Sequence, residues 1–94
     1  MSTNTNYKLA GRVDGTNADQ YESEISVFLG NVDQTFTIDL SELNYISSIG
    51  LRVFLKIAKT LKEQNKKLVL VNPNADIKGL LIMSGFDKII EIHH

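Results

Sequence analysis

The sequence predicts an α/β domain, with a mixed, mainly parallel β-sheet of four to five strands packed against three or four helices. Two observations carry this. Short runs that alternate apolar and polar residues are separated by longer stretches whose apolar residues recur at steps of three and four. Strands joined through helices of about ten or more residues imply right-handed crossovers and hence parallel neighbours. A chain of 94 residues, 43% apolar and 22% charged, has room for one such core and no second one.

Taken in order, Tyr7, Leu9 and Val13 mark an extended segment interrupted near Gly11. It reads as two edge strands or one bent strand, free to pair antiparallel at an edge. From Ala18, the residues Ala18, Tyr21, Ile25, Phe28 and Leu29 fall on one helical face, with Asn17 and Gln20 as a capping pair and Gly30 as the stop. Phe36, Ile38 and Leu40 alternate with Thr35, Thr37 and Asp39, the pattern of a strand. Between Ser48 and about Gln64, the apolar face is Val53, Phe54, Ile57, Ala58 and Leu61, so this is a largely buried helix. Arg52, Lys56, Lys59 and Glu63 form its opposite stripe, which reads as a solvated face. Lys67 to Val71 is a compact strand. After Asn72-Pro73-Asn74, Asn74 caps a helix carrying Ile77, Leu80 and Leu81 and ending at Gly85, and Lys88 to Ile92 supplies the last strand. In such sheets ligands and partners meet the loops at the carboxyl ends of the strands, here those after Val13, Leu40 and Val71.

Composition excludes several classes of chemistry. Without cysteine there is no disulfide framework, thiolate metal site or thiol nucleophile, which suits a reducing, cytoplasmic setting. Ten basic against eleven acidic residues leave a net charge of -1, which argues against nucleic acid and points to a protein partner. No apolar run is long enough for membrane insertion, and the polar residues 1–6 read as a flexible N-terminus. His93 and His94 read as a tail or the remnant of a tag. They are the only histidines, so a Ser-His-acid triad has no imidazole inside the fold. The hydrolase elbow needs glycine two residues before its serine, where Ser48 has Ile46. Walker and Rossmann glycine patterns are absent, and no catalytic group, metal site or cofactor is expected. Asp14, Asp19, Glu22 and Glu24 cluster at a helix start, where carboxylates suit the positive end of the dipole.

The informative stretch is Asp39-Leu40-Ser41-Glu42-Leu43-Asn44-Tyr45-Ile46-Ser47-Ser48-Ile49-Gly50-Leu51-Arg52, in which a strand runs through a short loop into the long helix. Local chemistry makes Ser47 or Ser48 an N-cap and lets Gly50 pack the helix closely on the sheet. The same geometry exposes a serine at a helix N-terminus, where an added phosphate meets free N–H groups.

Ile46-Ser47-Ser48-Ile49-Gly50-Leu51-Arg52-Val53, preceded by Asp39-Leu40-Ser41, resembles the signature of the STAS domain as found in bacterial anti-sigma factor antagonists. Gly11-Arg12-Val13-Asp14, Lys67 to Val71, and Leu80 to Phe86 with Lys88-Ile89-Ile90 resemble other parts of that family, so the likeness spans residues 7–92. The family's phosphorylated members carry aspartate, serine, then serine or threonine before the glycine. This chain has Ser47 in place of the aspartate and Ile49 in place of the second hydroxyl residue. The resemblance implies Ser48 as the phosphorylated residue, with Ser47 second. It also implies a partner face of Ser47, Ser48, Ile49, Gly50 and Arg52, with Asp14, Gly15, Thr16 and Asn17 on one side and Asn72 and Asn74 on the other. Its implied partners are an anti-sigma factor serine kinase, bound when Ser48 is unmodified and released when it is phosphorylated, and a metal-dependent serine phosphatase. The free protein is expected to be a monomer and not an enzyme. The alternative that the family offers is a permanently docked, unphosphorylated subunit of a lipid-transport ATPase.

Overall fold

A computed structural model describes residues 7–30 and 34–93. The flexible N-terminus expected over residues 1–6, and His94, lie outside them. Four strands, β1 (Tyr7–Val13), β2 (Thr35–Ile46), β3 (Lys67–Val71) and β4 (Glu91–His93), lie side by side in chain order, and every neighbouring pair is parallel. The chain returns between them through α1 (Ala18–Leu29), α2 (Ser48–Glu63) and α3 (Ala75–Met83). Right-handed crossovers that all step the same way put the helices on one face of the sheet. The buried residues agree: Leu9, Val13, Phe36, Ile38, Leu40, Leu68 and Leu70 of the strands share one core with Ile25, Phe54, Ile57, Leu61 and Leu81 of the helices. The expected α/β architecture therefore forms. The edge strand takes the parallel option, because α1 carries the chain back to its starting end before β2 begins. Thr37, Val69 and Val71 alternate onto the other face and are buried too, which is why β3 reads as an unbroken apolar run.

β2 is twice as long as its alternating pattern indicates. Alternation ends at Leu40, yet the strand continues through Leu43 to Ile46, both buried. Pairing with β1 explains the change of period. Lys8 pairs with Asp39 but Ala10 with Glu42, and Gly11 pairs with Leu43 but Arg12 with Tyr45, so β2 gains one residue at each of two bulges. Each extra residue flips the alternation, and the core-facing positions become Leu40, Leu43 and Ile46, at steps of three. Gly11 sits beside the second bulge with φ 78°, a left-handed conformation that glycine adopts without strain. β1 is thus the single bent strand of the two readings, and the short loop expected before Ser47 is instead a bulged strand end.

The helices follow the expected faces with local corrections. α2 buries Val53, Phe54, Ile57, Ala58 and Leu61. α1 buries Ala18, Ile25 and Leu29 but leaves Phe28 45% exposed, tilted against the Tyr7 ring with centroids 6.1 Å apart. Asn17 does not cap α1 with its side chain, and Gln20 bonds Glu24 instead. α3 is capped by Asn74, whose side chain accepts from the Ile77 N–H at 2.8 Å. Past the left-handed Gly85, a 3-10 turn over Phe86–Lys88 sends the Ile89 and Ile90 N–H groups back to the Phe86 carbonyl. That turned backbone shortens the last strand to Glu91–His93. Among the described residues no helix is long and apolar enough to cross a membrane.

Gly50, in the first turn of α2, is buried against the ends of β1 and β2. A Cβ there would lie 2.6 Å from Ile46 Cγ1 and 2.9 Å from Val13 Cγ1. Glycine-to-alanine changes inside exposed helices gain about 1 kcal/mol, and Gly79→Ala in α3, where nothing lies within 4 Å of an added Cβ, should stabilise by that order. Gly50→Ala should show the opposite sign, losing about 1 to 3 kcal/mol as the strand ends are pushed apart. Urea denaturation of the two variants measures the contrast.

Candidate functional site

The carboxyl ends of β1 and β2 meet the start of α2. Val13 and Ile46 are register partners, and the next residue, Ser47, donates its N–H to the Val13 carbonyl at 2.9 Å. Ser47 is half-buried and extended, and its hydroxyl accepts from the Gly50 N–H at 3.3 Å, while its carbonyl accepts from the Leu51 N–H at 2.9 Å. This is the N-cap of α2. Ser48 is the first helical residue and is exposed. Its hydroxyl and the N–H groups of Ser48 and Ile49 have no hydrogen-bond partner among the described residues. No acidic side chain occupies that first turn, so the positive end of the α2 dipole is uncompensated there.

The β1–α1 loop packs alongside. A Cβ on Gly15 would meet Ile49 Cδ1 at 3.3 Å, so the loop and the α2 start are in contact. Asp14 organises the loop. Its carboxylate accepts from the Thr16 hydroxyl at 2.6 Å, the Thr16 N–H at 2.9 Å and Arg12 Nε at 2.9 Å. The two Thr16 bonds, with Arg12 beside them, hold the Asp14 carboxyl below the ordinary carboxylate range. Asn17 folds back rather than forward: its side chain accepts from the Asp14 N–H and donates to the Arg12 carbonyl, both at 2.9 Å. The Asp14 carbonyl then receives the Asn17 and Ala18 N–H groups at 3.2 and 2.9 Å, which does the capping that the Asn17 side chain leaves undone.

Two residues absent from the sequence-derived face belong to this surface. The Arg12 guanidinium lies over the Tyr45 ring, 4.9 Å from its centroid, within cation–π range. Tyr45 and Ile49, close to Ser48 in the chain, are 48% and 46% exposed. The signal for Arg12 and Tyr45 is their cross-strand register, which exists only after both bulges are counted.

The remaining candidates are placed differently. Arg52 is exposed one turn along α2 from Ser48. Asn72 and Asn74 lie lower on the sheet, because Val71 pairs with Asp39 while β2 runs on to Ile46. Asn74 nevertheless reaches Leu43, three strand residues or about 10 Å short of Ile46. Asn72 takes φ 59°, bonds Asp39 with its side chain and donates its N–H to the His93 carbonyl at 2.8 Å. Burial pushes the Asp39 carboxyl up, but hydrogen bonds from Ser41 and Asn72 and the charge of Lys8 outweigh it and bring it below its ordinary value. Asn74 caps α3 and also donates to the Leu43 carbonyl at 3.1 Å. Both asparagines thus hold strand and helix ends. The site that the geometry assembles is Asp14 to Asn17 with Ser47 to Gly50, Arg12 and Tyr45.

A bulged strand end feeding a serine-capped helix beside a glycine-containing loop can be compared with known proteins. The STAS domain model matches residues 2–94. The chain belongs to the STAS domain family. A relative from Bordetella bronchiseptica, BtrV, named as a candidate anti-sigma factor antagonist, is 36% identical over 84 residues, covering 89% of this chain and 72% of BtrV. The anti-sigma-B factor antagonist of Listeria monocytogenes is 31% identical over the same length, covering 89% and 74% of the two chains. The fold matches that of SpoIIAA, an anti-sigma factor antagonist and Bacillus cell fate determinant. In its unphosphorylated form the TM-score is 0.76 at 20% identity over 98% of this chain and 83% of SpoIIAA; in its phosphorylated form it is 0.69 at 18% over 98% and 86%.

In this STAS domain the Asp14 loop should titrate with a definite sign. Since the folded Asp14 carboxyl ionises below its ordinary value of 3.8, the loop contributes stability above that pH, and the contribution is lost as pH falls through the lower, folded value. The stability difference between wild type and Asp14→Asn should be constant from pH 7 to about pH 5 and shrink below about pH 4. Chemical denaturation across that range measures it. A difference that grew on acidification would overturn the assignment.

Proposed function

We propose that this chain is an anti-sigma factor antagonist that works as a phosphorylation-controlled partner switch at Ser48. Unmodified, it binds an anti-sigma factor with serine-kinase activity. That kinase transfers the terminal phosphoryl group of ATP to the Ser48 oxygen, releasing ADP and the hydroxyl proton, and the modified domain lets go. A metal-dependent serine phosphatase resets it. The chain is the substrate in this cycle and supplies no catalytic group.

The observation that carries the reading is the division of labour between adjacent serines. The Ser47 hydroxyl is committed to the cap of α2, whereas the exposed Ser48 hydroxyl has no partner among the described residues. The names of the BtrV and Listeria relatives support the same direction. Tyr45 and Ile49 give a partner apolar surface to bury, and Ser48 sits where that contact is desolvated.

Magnitudes locate the effect. A phosphate at a helix N-terminus stabilises its own helix by only about 0.3 to 1 kcal/mol, so the fold has little reason to rearrange. One like-charge pair at 4 Å costs about 4 kcal/mol at an effective dielectric of 20, and the phosphate brings nearly two charges into the contact. Binding should weaken more than about a hundredfold.

Incubation with the cognate anti-sigma kinase and ATP should place one phosphate on wild type and on Ser47→Ala, and none on Ser48→Ala. Ser48→Ala should still bind the kinase, and Ser48→Asp should bind it at least about tenfold less tightly, carrying one charge rather than two. Ser47→Ala should instead lower stability by about 1 kcal/mol through loss of the cap. Intact-protein mass spectrometry and calorimetry read these outcomes. Phosphate on neither serine, or co-purification with a transporter ATPase regardless of Ser48 substitution, would overturn the switch.

A further inference from the structure

Half of the chain's ten lysine and arginine side chains line one groove: Lys59, Lys62, Lys66, Lys67 and Lys88. It lies between the C-terminal part of α2, the start of β3 and the turn that follows α3, with a volume of about 360 Å³. Ala58, Leu68 and Ile89 supply an apolar wall, and Ile89 is 60% exposed. No carboxylate among the described residues lines it. Lys67 pairs with Glu91 at 2.7 Å, but Lys59, Lys62, Lys66 and Lys88 make no ion pair among the described residues.

A solvated helical face accounts for Lys59 and Lys62 taken along α2 alone. It does not account for their convergence with Lys66, Lys67 and Lys88, which come from other elements, around a concavity with an apolar wall. Like charges held together repel, and the repulsion persists until an anion enters.

We propose that this groove docks an acidic peptide segment of a protein partner, with its carboxylates against the lysines and an apolar side chain against Leu68 and Ile89. Three features select that occupant. The volume accommodates a few side chains. The apolar wall offers nothing to a bare phosphate chain but suits a segment that mixes acidic and apolar residues. The chain as a whole carries a net charge of -1, so beyond the five lysines a long polyanion would find no broad positive surface to follow. A membrane surface is flat, whereas these cations surround a depression. Fourteen helical steps lead from Ser48 to Lys62, about 21 Å along α2, so the groove is a second surface at the other end of that helix and does not rest on the serine switch.

The test is an NMR titration of ¹⁵N-labelled full chain with a synthetic peptide of alternating Asp, Glu and Leu, and with the counterpart carrying Asn and Gln in place of the acids. Amide shifts should concentrate at Lys59, Lys62, Lys66, Leu68 and Ile89 for the acidic peptide and be absent for its amide counterpart. The Kd should rise at least about tenfold in the Lys62→Glu, Lys88→Glu double variant and in about 0.5 M NaCl. Unchanged circular dichroism and Tm establish that the variant folds; should it not, the single Lys62→Gln variant gives the same reading with about a threefold effect. Shifts away from the groove, equal binding of the amide peptide, or undiminished binding by a folded charge-loss variant overturns the proposal. So does tighter binding of phosphatidylserine vesicles or of a DNA duplex through the same lysines.

Discussion

The close approach of α2 to the ends of β1 and β2 sets the geometry of everything around Ser48. Gly50 leaves no room for a Cβ between the helix and the side chains of Val13 and Ile46, and the Ser47 N–H ties the same corner to the Val13 carbonyl. With the helix pinned at this distance, Ser47 faces inward to cap it and Ser48 is turned outward by the next step of the helical rotation. A larger residue at position 50 would lift the first turn of α2 away from the strand ends and disturb the cap together with the contact between Ile49 and Gly15. The serine's exposure is therefore a consequence of packing beneath it.

That corner depends in turn on the two bulges of β2. They lengthen the strand relative to its neighbour, carry its end well beyond the end of β3, and align Arg12 with Tyr45 and Val13 with Ile46. Because β3 stops at the level of Asp39, the upper part of β2 pairs among the described strands with β1 alone, and the β1–α1 loop packs against Ile49, next to the serine. Asn72 stays at the level of Asp39 and His93, while Asn74 reaches up to the Leu43 carbonyl and caps α3. Near Ser48 the Asp14 loop touches Ile49 and is joined through Arg12 to Tyr45, with Arg52 one turn farther along the helix.

Net charge conceals a second feature. Ten cations against eleven anions give a nearly neutral chain, yet the fold gathers five lysines at one end of α2 while the first turn at its other end carries no acidic residue. A phosphate on Ser48 would change the charge at one end of α2 without neutralising the other, since about 21 Å exceeds the screening length at physiological salt. The two ends can respond to different chemistry.

By itself the sequence determined the alternation of strands and helices, the buried face of α2, the compact strand β3, the Asn74 cap and the close packing at Gly50, because each rests on periodicity or on residue chemistry within a few positions. Its motif also pointed to the Ser47–Ser48 pair. What it could not fix depends on which residues meet across strands. The extension of β2 was hidden because bulges break period-two alternation, and a register exists only between two chains of backbone. Asn17 looked like a cap because composition does not reveal that its side chain bonds backward to Arg12 and Asp14. Phe28 looked like core because a helical face does not say how far the sheet beneath it reaches. Of the groove's lysines only Lys59 fell on the stripe read as solvated, because Lys59, Lys67 and Lys88 are separated in the chain and meet only in the fold. Tertiary structure decided which serine keeps a free hydroxyl, which loop stands beside it and where the cations gather, since each of these is a matter of long-range pairing.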